Sequence, residues 1–130
     1  MNAQQTYSKI QKDTLSGRDL EARVLSKASS QYRRVLALPE GADRNKQLET
    51  AVRFNLRVWD IFHADWESPE CPLGERTRTD LIRLSAYVHK TSLEVLAYGK
   101  ADKIRSLVQI NDSLVTGLTT HVAKPAEITA

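Results

Sequence analysis

Residues 79–98, TDLIRLSAYVHKTSLEVLAY, constrain the fold most, because two apolar stripes run through them at helical spacing. Leu81, Leu84, Val88 and Val95 recur at intervals of three, four and seven, with Ile82, Ala86, Leu93, Leu96 and Ala97 beside them. A surface helix needs only one apolar stripe to face its core. Two adjacent stripes predict a helix covered on both flanks, the central member of an all-α domain. At this length it spans about 30 Å, the diameter of a small domain. Arg83, His89, Lys90 and Glu94 form its polar edge. Thr77 or Thr79 is expected to cap its start, with an earlier start open to Pro72-Leu73-Gly74, and Gly99 marks its stop.

The rest of the chain divides in the same way. Ala3, Tyr7 and Ile10 give residues 1–14 one short periodic unit, a marginal helix that needs a surface to dock on. Leu15-Ser16-Gly17 reads as a break, with Ser16 or Asp19 capping a second helix over residues 18–38. Leu20, Val24, Ala28, Val35 and Leu36 make its apolar side, Leu25 and Tyr32 lie alongside, and Pro39 ends it. A third helix, capped by Asp43, reaches about Trp66 on the stripe Leu48, Ala51, Val52, Asn55, Trp59, Phe62 and Trp66. Pro69 and Pro72 exclude a continuous helix through the next connection. A last helix over residues 101–118 carries Ile104, Leu107, Val108, Asn111, Leu114, Val115 and Leu118. No stretch shows strand periodicity. The predicted architecture is a compact antiparallel bundle of four substantial helices plus a short N-terminal one, residues 1–118, followed by a mobile tail at 119–130 interrupted by Pro125.

Composition narrows the function classes. A chain of 130 residues makes one domain that buries a core without disulfides. The single cysteine, Cys71, fits a reducing compartment. The N-terminus has no apolar leader and no run approaches membrane-spanning length, so a cytoplasmic protein is expected. Nineteen basic residues against 16 acidic ones leave a net charge of +3, which neither requires nor excludes an anionic partner.

Chemistry-bearing motifs are scarce. His63, His89 and His121 have no partners at metal-ligand spacing, and Asp60 with His63 is an ordinary exposed pair. Cys71 stands between prolines with nothing to stabilise a thiolate. Ser85 and Ser92 face packed neighbours and lie in no nucleophile elbow. No phosphate or dinucleotide loop occurs, so no enzyme activity, cofactor or metal is expected. Arg23 and Lys27 on the second helix, with Arg53 and Arg57 on the third, offer phosphate contacts. Asp19, Glu21, Glu49, Asp60 and Asp65 interrupt that basic pattern.

Two asparagines interrupt apolar stripes. Asn55 sits between Val52 and Trp59, and Asn111 between Leu107 and Leu114. A buried amide destabilises the fold unless it is hydrogen-bonded. These two either pair with each other, cap a helix end, or receive the backbone of a bound peptide; the first is a purely structural role. Trp59, Phe62 and Trp66 are spaced as a core stripe, yet Trp is enriched at binding hot spots. Part of that stripe is therefore a candidate groove wall, bounded on the last helix by Leu114, Val115 and Leu118.

Tyr7-Ser8-Lys9-Ile10-Gln11, Glu21-Ala22, Asn55-Leu56-Arg57-Val58-Trp59, Val108-Gln109-Ile110-Asn111 and Gly117-Leu118 occur in that order. Together they resemble the FlaF family of flagellar biosynthesis regulators. NLRVW is similar to the family's Asn-basic-basic-Leu-Trp segment, with Leu56 in place of one basic residue and Val58 in place of leucine. VQIN is similar to its I-x-I-N segment. The resemblance implies a small cytoplasmic protein without enzymatic activity that acts on flagellin synthesis and export, as a flagellin-binding adaptor or export chaperone. It also implies an alternative, post-transcriptional regulation through flagellin messenger RNA, alone or with the regulator FlbT. The free protein is expected to be monomeric.

Overall fold

The computed structural model describes residues 3–123, with side chains described for residues 18–118. Four helices account for nearly all of them: α1 (Ala3–Ala37), α2 (Ala42–Glu67), α3 (Glu75–Tyr98) and α4 (Ala101–Ala123). There is no strand among the described residues. Each helix packs against its chain neighbours, and α4 returns to lie along α1, the most extensive of the four packings. Consecutive helices run antiparallel. Asp60 and His63 of α2 face His89 and Ser85 of α3, and Glu94 and Tyr87 of α3 face Lys103 and Ser106 of α4.

The first helix departs from expectation. No break occurs at Leu15-Ser16-Gly17; α1 is one helix of 35 residues, about 50 Å long, and a separate short N-terminal helix is absent. A lone glycine costs a helix only about 1 kcal/mol relative to alanine, and no proline stands there to remove a hydrogen bond. Ser16 and Asp19 therefore cap nothing. Leu20 is 62% exposed because the buried face is Ala22, Leu25, Ala28, Ser29, Tyr32 and Val35. At about 100° per residue, Leu20 lies about 140° around the axis from Leu25.

Proline and glycine set the remaining boundaries. Pro39 stops α1 at Ala37. The residue before α2 is Gly41, at φ 153°, a backbone region that side chains with a Cβ avoid. Asp43 is not the cap; it lies in the first turn of α2, where its carboxylate suits the helix dipole. Likewise α3 begins after Gly74, four residues ahead of Thr79, so neither Thr77 nor Thr79 caps it. Its C-terminus closes on Gly99 at φ 62°, whose N–H donates to the Val95 carbonyl at 2.8 Å. The last helix continues past Leu118 to Ala123. The expected mobile tail otherwise lies outside the described residues.

The core combines Leu25, Tyr32 and Val35 from α1, Leu48, Val52 and Trp59 from α2, Val88 and Val95 from α3, and Ile104 and Leu107 from α4. The whole predicted α2 stripe is buried except Trp66, which is partly covered. For α3 the expectation of burial on both flanks fails. Its buried positions are Ser85, Val88, Thr91, Ser92 and Val95, whereas Leu93 is 64% exposed and Leu96 43%. Small side chains make up much of its inner face, and most of its second apolar stripe is left in solvent. Leu107→Ala should therefore lower the unfolding free energy by about 2–5 kcal/mol. In the same urea titrations Leu93→Ala should stay within about 0.5 kcal/mol of the parent.

Candidate functional site

A polar layer crosses the middle of the core with a member from every helix. The Trp59 indole Nε1–H donates to Asn111 Oδ1 at 2.9 Å, and Asn111 Nδ2 donates to Asn55 Oδ1 at 2.8 Å. All three residues are fully buried. Indole can only donate, so it fixes the carbonyl end of Asn111 towards Trp59, and that fixes Asn55 in turn. The relay spans α2 and α4, whose backbones do not approach within 8 Å. Mutual pairing is thus the role these two amides take in the structure.

On the other diagonal, Tyr32 of α1 and Ser92 of α3 reach the same layer, also fully buried. Tyr32 Oη, Ser92 Oγ and Asn55 Nδ2 make no hydrogen bond of good geometry among the described residues. Burial dominates at Tyr32 and pushes its phenol pKa far up, although Asn55 and Ser92 lie near enough to favour the ionised form.

A second polar cluster ties α2 to α3. His89 Nδ1 lies 2.8 Å from the Ser85 carbonyl oxygen and Nε2 2.7 Å from an Asp60 carboxylate oxygen, two acceptors that the ring satisfies together when it is protonated. Burial is the largest single influence on His89 and lowers its pKa. The Ser85 carbonyl and the Asp60 carboxylate together outweigh burial and hold it above the ordinary imidazole value. His63 bridges Ser85 Oγ at 3.1 Å and Glu67 at 2.8 Å. The pairing of Asp60 with His63 suggested by their spacing does not occur; each bonds elsewhere. Among the described residues no group of three His, Cys, Asp or Glu side chains is placed to hold a metal ion.

The concave site lies where the core stripes run out towards one end of the helices. A groove of about 520 Å³ is walled by Phe62 and Trp66 of α2, Leu81 of α3, and Leu114 and Leu118 of α4, with the 68–74 connection across one side. That volume falls in the ordinary range of concave binding sites, about 300–1,000 Å³. Trp59 meets both Phe62 and Trp66 edge to face, while Phe62 and Trp66 lie tilted to each other, with ring centroids 5.9–6.5 Å apart. Trp59 is wholly in the core and serves as backing. Phe62 is nearly buried, and Trp66 is the partly exposed ring at the groove. Of the residues proposed on α4, Leu114 and Leu118 line the groove; Val115 is half-buried and does not.

The groove also holds charge that the sequence reading missed: Arg18, Glu21, Asp65 and Glu70. Burial, then the nearby charge of Asp65, raises the Glu21 carboxyl pKa, and Arg18 offsets part of the rise. A signal for Glu21 was present in the sequence, because it stands in register with Leu25, Ala28, Tyr32 and Val35. A carboxylate that continues a core stripe faces whatever continues the core.

The basic candidates lie on α1 and α2, outside the lining of the groove. Lys27 Nζ sits 5.3 Å from the centroid of the Phe54 ring, and Arg53 is paired with Glu49 at 2.6 Å. Arg23 and Arg57 are exposed.

The sequence model described as "Flagellar protein FlaF" matches residues 3–118. The chain belongs to the FlaF family. No significant match was found among curated proteins or among solved structures. This FlaF chain is thus a flagellar-family protein made of four helices, and among its described residues no helix is long and apolar enough to cross a membrane.

The polar layer makes two predictions. Asn111→Ala should lower stability by about 1–3 kcal/mol for each group it strands, and Asn55→Ala by a similar amount. The double variant should lose less than the sum of the singles in chemical denaturation, because each single change orphans the other amide. For Tyr32 the folded pKa is raised above the unfolded value near 10. Its contribution is full below that pH and is lost as pH rises above about 10. Melting temperatures should fall over that range, and Tyr32→Phe should flatten the decline.

Proposed function

We propose that this protein is a cytoplasmic, non-enzymatic adaptor that binds unassembled flagellin in the groove and so couples flagellin availability to its synthesis or export. The observation that carries this reading is the groove itself: aromatic and aliphatic side chains from three helices, with Trp66 partly exposed, in a member of a flagellar family. An amphipathic helix laid along such a surface buries its apolar face and keeps its polar side chains at the rim. While held, that face is unavailable for assembly between flagellin subunits.

Contact with flagellin messenger RNA, with or without FlbT, has less support. Lys27 lies over Phe54 and Arg53 beside Glu49, and the groove carries three carboxylates against one guanidinium. Phosphate finds no concentrated positive surface there.

Isothermal calorimetry of the monomeric protein with purified, unassembled flagellin tests the proposal. Trp66→Ser should weaken binding by about 2 kcal/mol, roughly thirtyfold, while circular dichroism stays unchanged. Raising the salt concentration should weaken the complex only modestly. No complex with the unaltered protein at low or moderate salt would refute the proposal. A messenger-leader complex that collapses steeply with salt would favour the RNA alternative.

A further inference from the structure

We propose that the groove selects an amphipathic helical segment bearing a lysine or arginine beside its apolar face, with the carboxylates of Glu21 and Asp65 receiving that cation. The inference rests on the groove being the binding surface, and adds the chemistry by which it chooses its occupant. The chain as a whole is net basic, yet this groove is locally acidic. Glu21, Asp65 and Glu70 line it together with Arg18 alone. Elsewhere on the surface, Glu40, Glu49, Asp60, Glu67, Glu94 and Asp112 each have an arginine, lysine or histidine partner. Asp19, Asp43, Glu75, Asp80 and Asp102 stand unpaired among the described residues but line no groove with an apolar wall. Glu21 and Asp65 form no ion pair among the described residues.

Their placement costs the free protein something. Glu21 is half-buried beside the apolar wall, and the charge of Asp65 opposes its ionisation. A cation arriving between the two carboxylates removes that repulsion and gains charge-assisted hydrogen bonds in a partly dehydrated setting, where they are stronger than in open solvent. Phe62, Trp66, Leu81, Leu114 and Leu118 supply the apolar contact. Glu21 on α1 and Asp65 on α2 place the acidic edge beside this wall. A segment that satisfies both needs an apolar stripe and a cation at its border. An acidic or purely apolar segment satisfies only one of them, and a phosphate backbone is repelled. This is selection by a paired charge next to a hydrophobic contact.

The test uses fluorescently labelled, cysteine-free peptides of about 18 residues, long enough to form helix. Each has a Leu/Ala apolar face, a Gln polar face and one arginine, placed at each border position in turn. Citrulline replaces arginine in the controls, preserving shape without charge. The best arginine peptide should bind the full-length protein about tenfold more tightly than its citrulline twin. It should also slow alkylation of Cys71, which lines the groove. Glu21→Gln combined with Asp65→Asn should abolish the preference while leaving the circular dichroism spectrum unchanged.

Equal affinity for every arginine and citrulline pair, or no binding by either, would overturn the inference even if flagellin binds. So would a wild-type dimer that the double substitution disperses, since the occupant would then be a second copy of this chain. If the arginine preference holds and flagellin does not bind, the recognition chemistry stands and flagellin is the wrong partner.

Discussion

The indole N–H of Trp59 has one possible role, and the middle of the protein is arranged around it. As a buried donor it needs an acceptor, and the acceptor is Asn111 on the helix diagonally opposite. That choice turns the Asn111 amide nitrogen towards Asn55 and returns the chain of bonds to α2. Apolar contact alone tolerates sliding of one helix along another by a turn, since any leucine fits near another leucine. A relay with one allowed order of donors and acceptors does not. A slip of one turn, about 5.4 Å, breaks both hydrogen bonds and strands buried polar atoms. The layer therefore fixes the register of α2 against α4, two helices whose backbones do not touch. Tyr32 and Ser92 bring α1 and α3 to the same level.

The groove begins where this layer's influence ends. Moving along α2 from Asn55 through Trp59 and Phe62 to Trp66, side chains pass from full burial to partial exposure. On α4 the same passage runs from Asn111 through Leu114 to Leu118. α1 enters the groove not with another leucine but with Glu21 and Arg18, and α2 adds Asp65. The core is thus continuous with the groove, and the register set by Trp59 also sets the spacing of the groove walls.

Much of the scaffold was legible in the sequence, for identifiable reasons. The α2 stripe from Leu48 to Trp66 has one buried face and no competing one, so periodicity alone gave its orientation. The asparagines were legible as polar groups in need of a partner, because an amide within an apolar stripe demands one. That the partner is the other asparagine, rather than a helix end or a bound peptide, is settled by the packing of α2 and α4 about the core. Gly17 misled because glycine is a strong stop only where the chain also gains a cap or a left-handed turn, and α1 runs through it without either. The α3 error is more instructive. Two apolar stripes were visible, but the helix faces inward with Ser85, Thr91 and Ser92 beside Val88 and Val95. Small polar side chains in a close-packed position look solvent-facing by hydropathy, although Ser85 and Ser92 were rightly placed against neighbours. Which stripe wins depends on how near the neighbouring helix comes, and that is a tertiary quantity. Of the groove, Trp66, Leu114 and Leu118 were anticipated, while Glu21 and Asp65 were discounted as interruptions of a basic surface.

The residues that carry the FlaF resemblance gain physical meaning when placed in the fold. Within the described side chains many of them gather at two locations. Asn55, Trp59 and Asn111 make the relay, while Glu21, Gly117 and Leu118 line the groove. The first group is fully buried and holds the helices in register. The second gives the groove a carboxylate, a residue without a side chain, and an apolar side chain. Gly117 meets no heavy atom within 4 Å of where a Cβ would stand, so the fold itself leaves room there for a side chain. Its smallness serves the groove rather than the packing of α4, by leaving open space between Leu114 and Leu118. Register is therefore carried by residues other than those that line the groove. A variant that disturbs the first group strands buried polar atoms, whereas one confined to the second alters the lining of the groove.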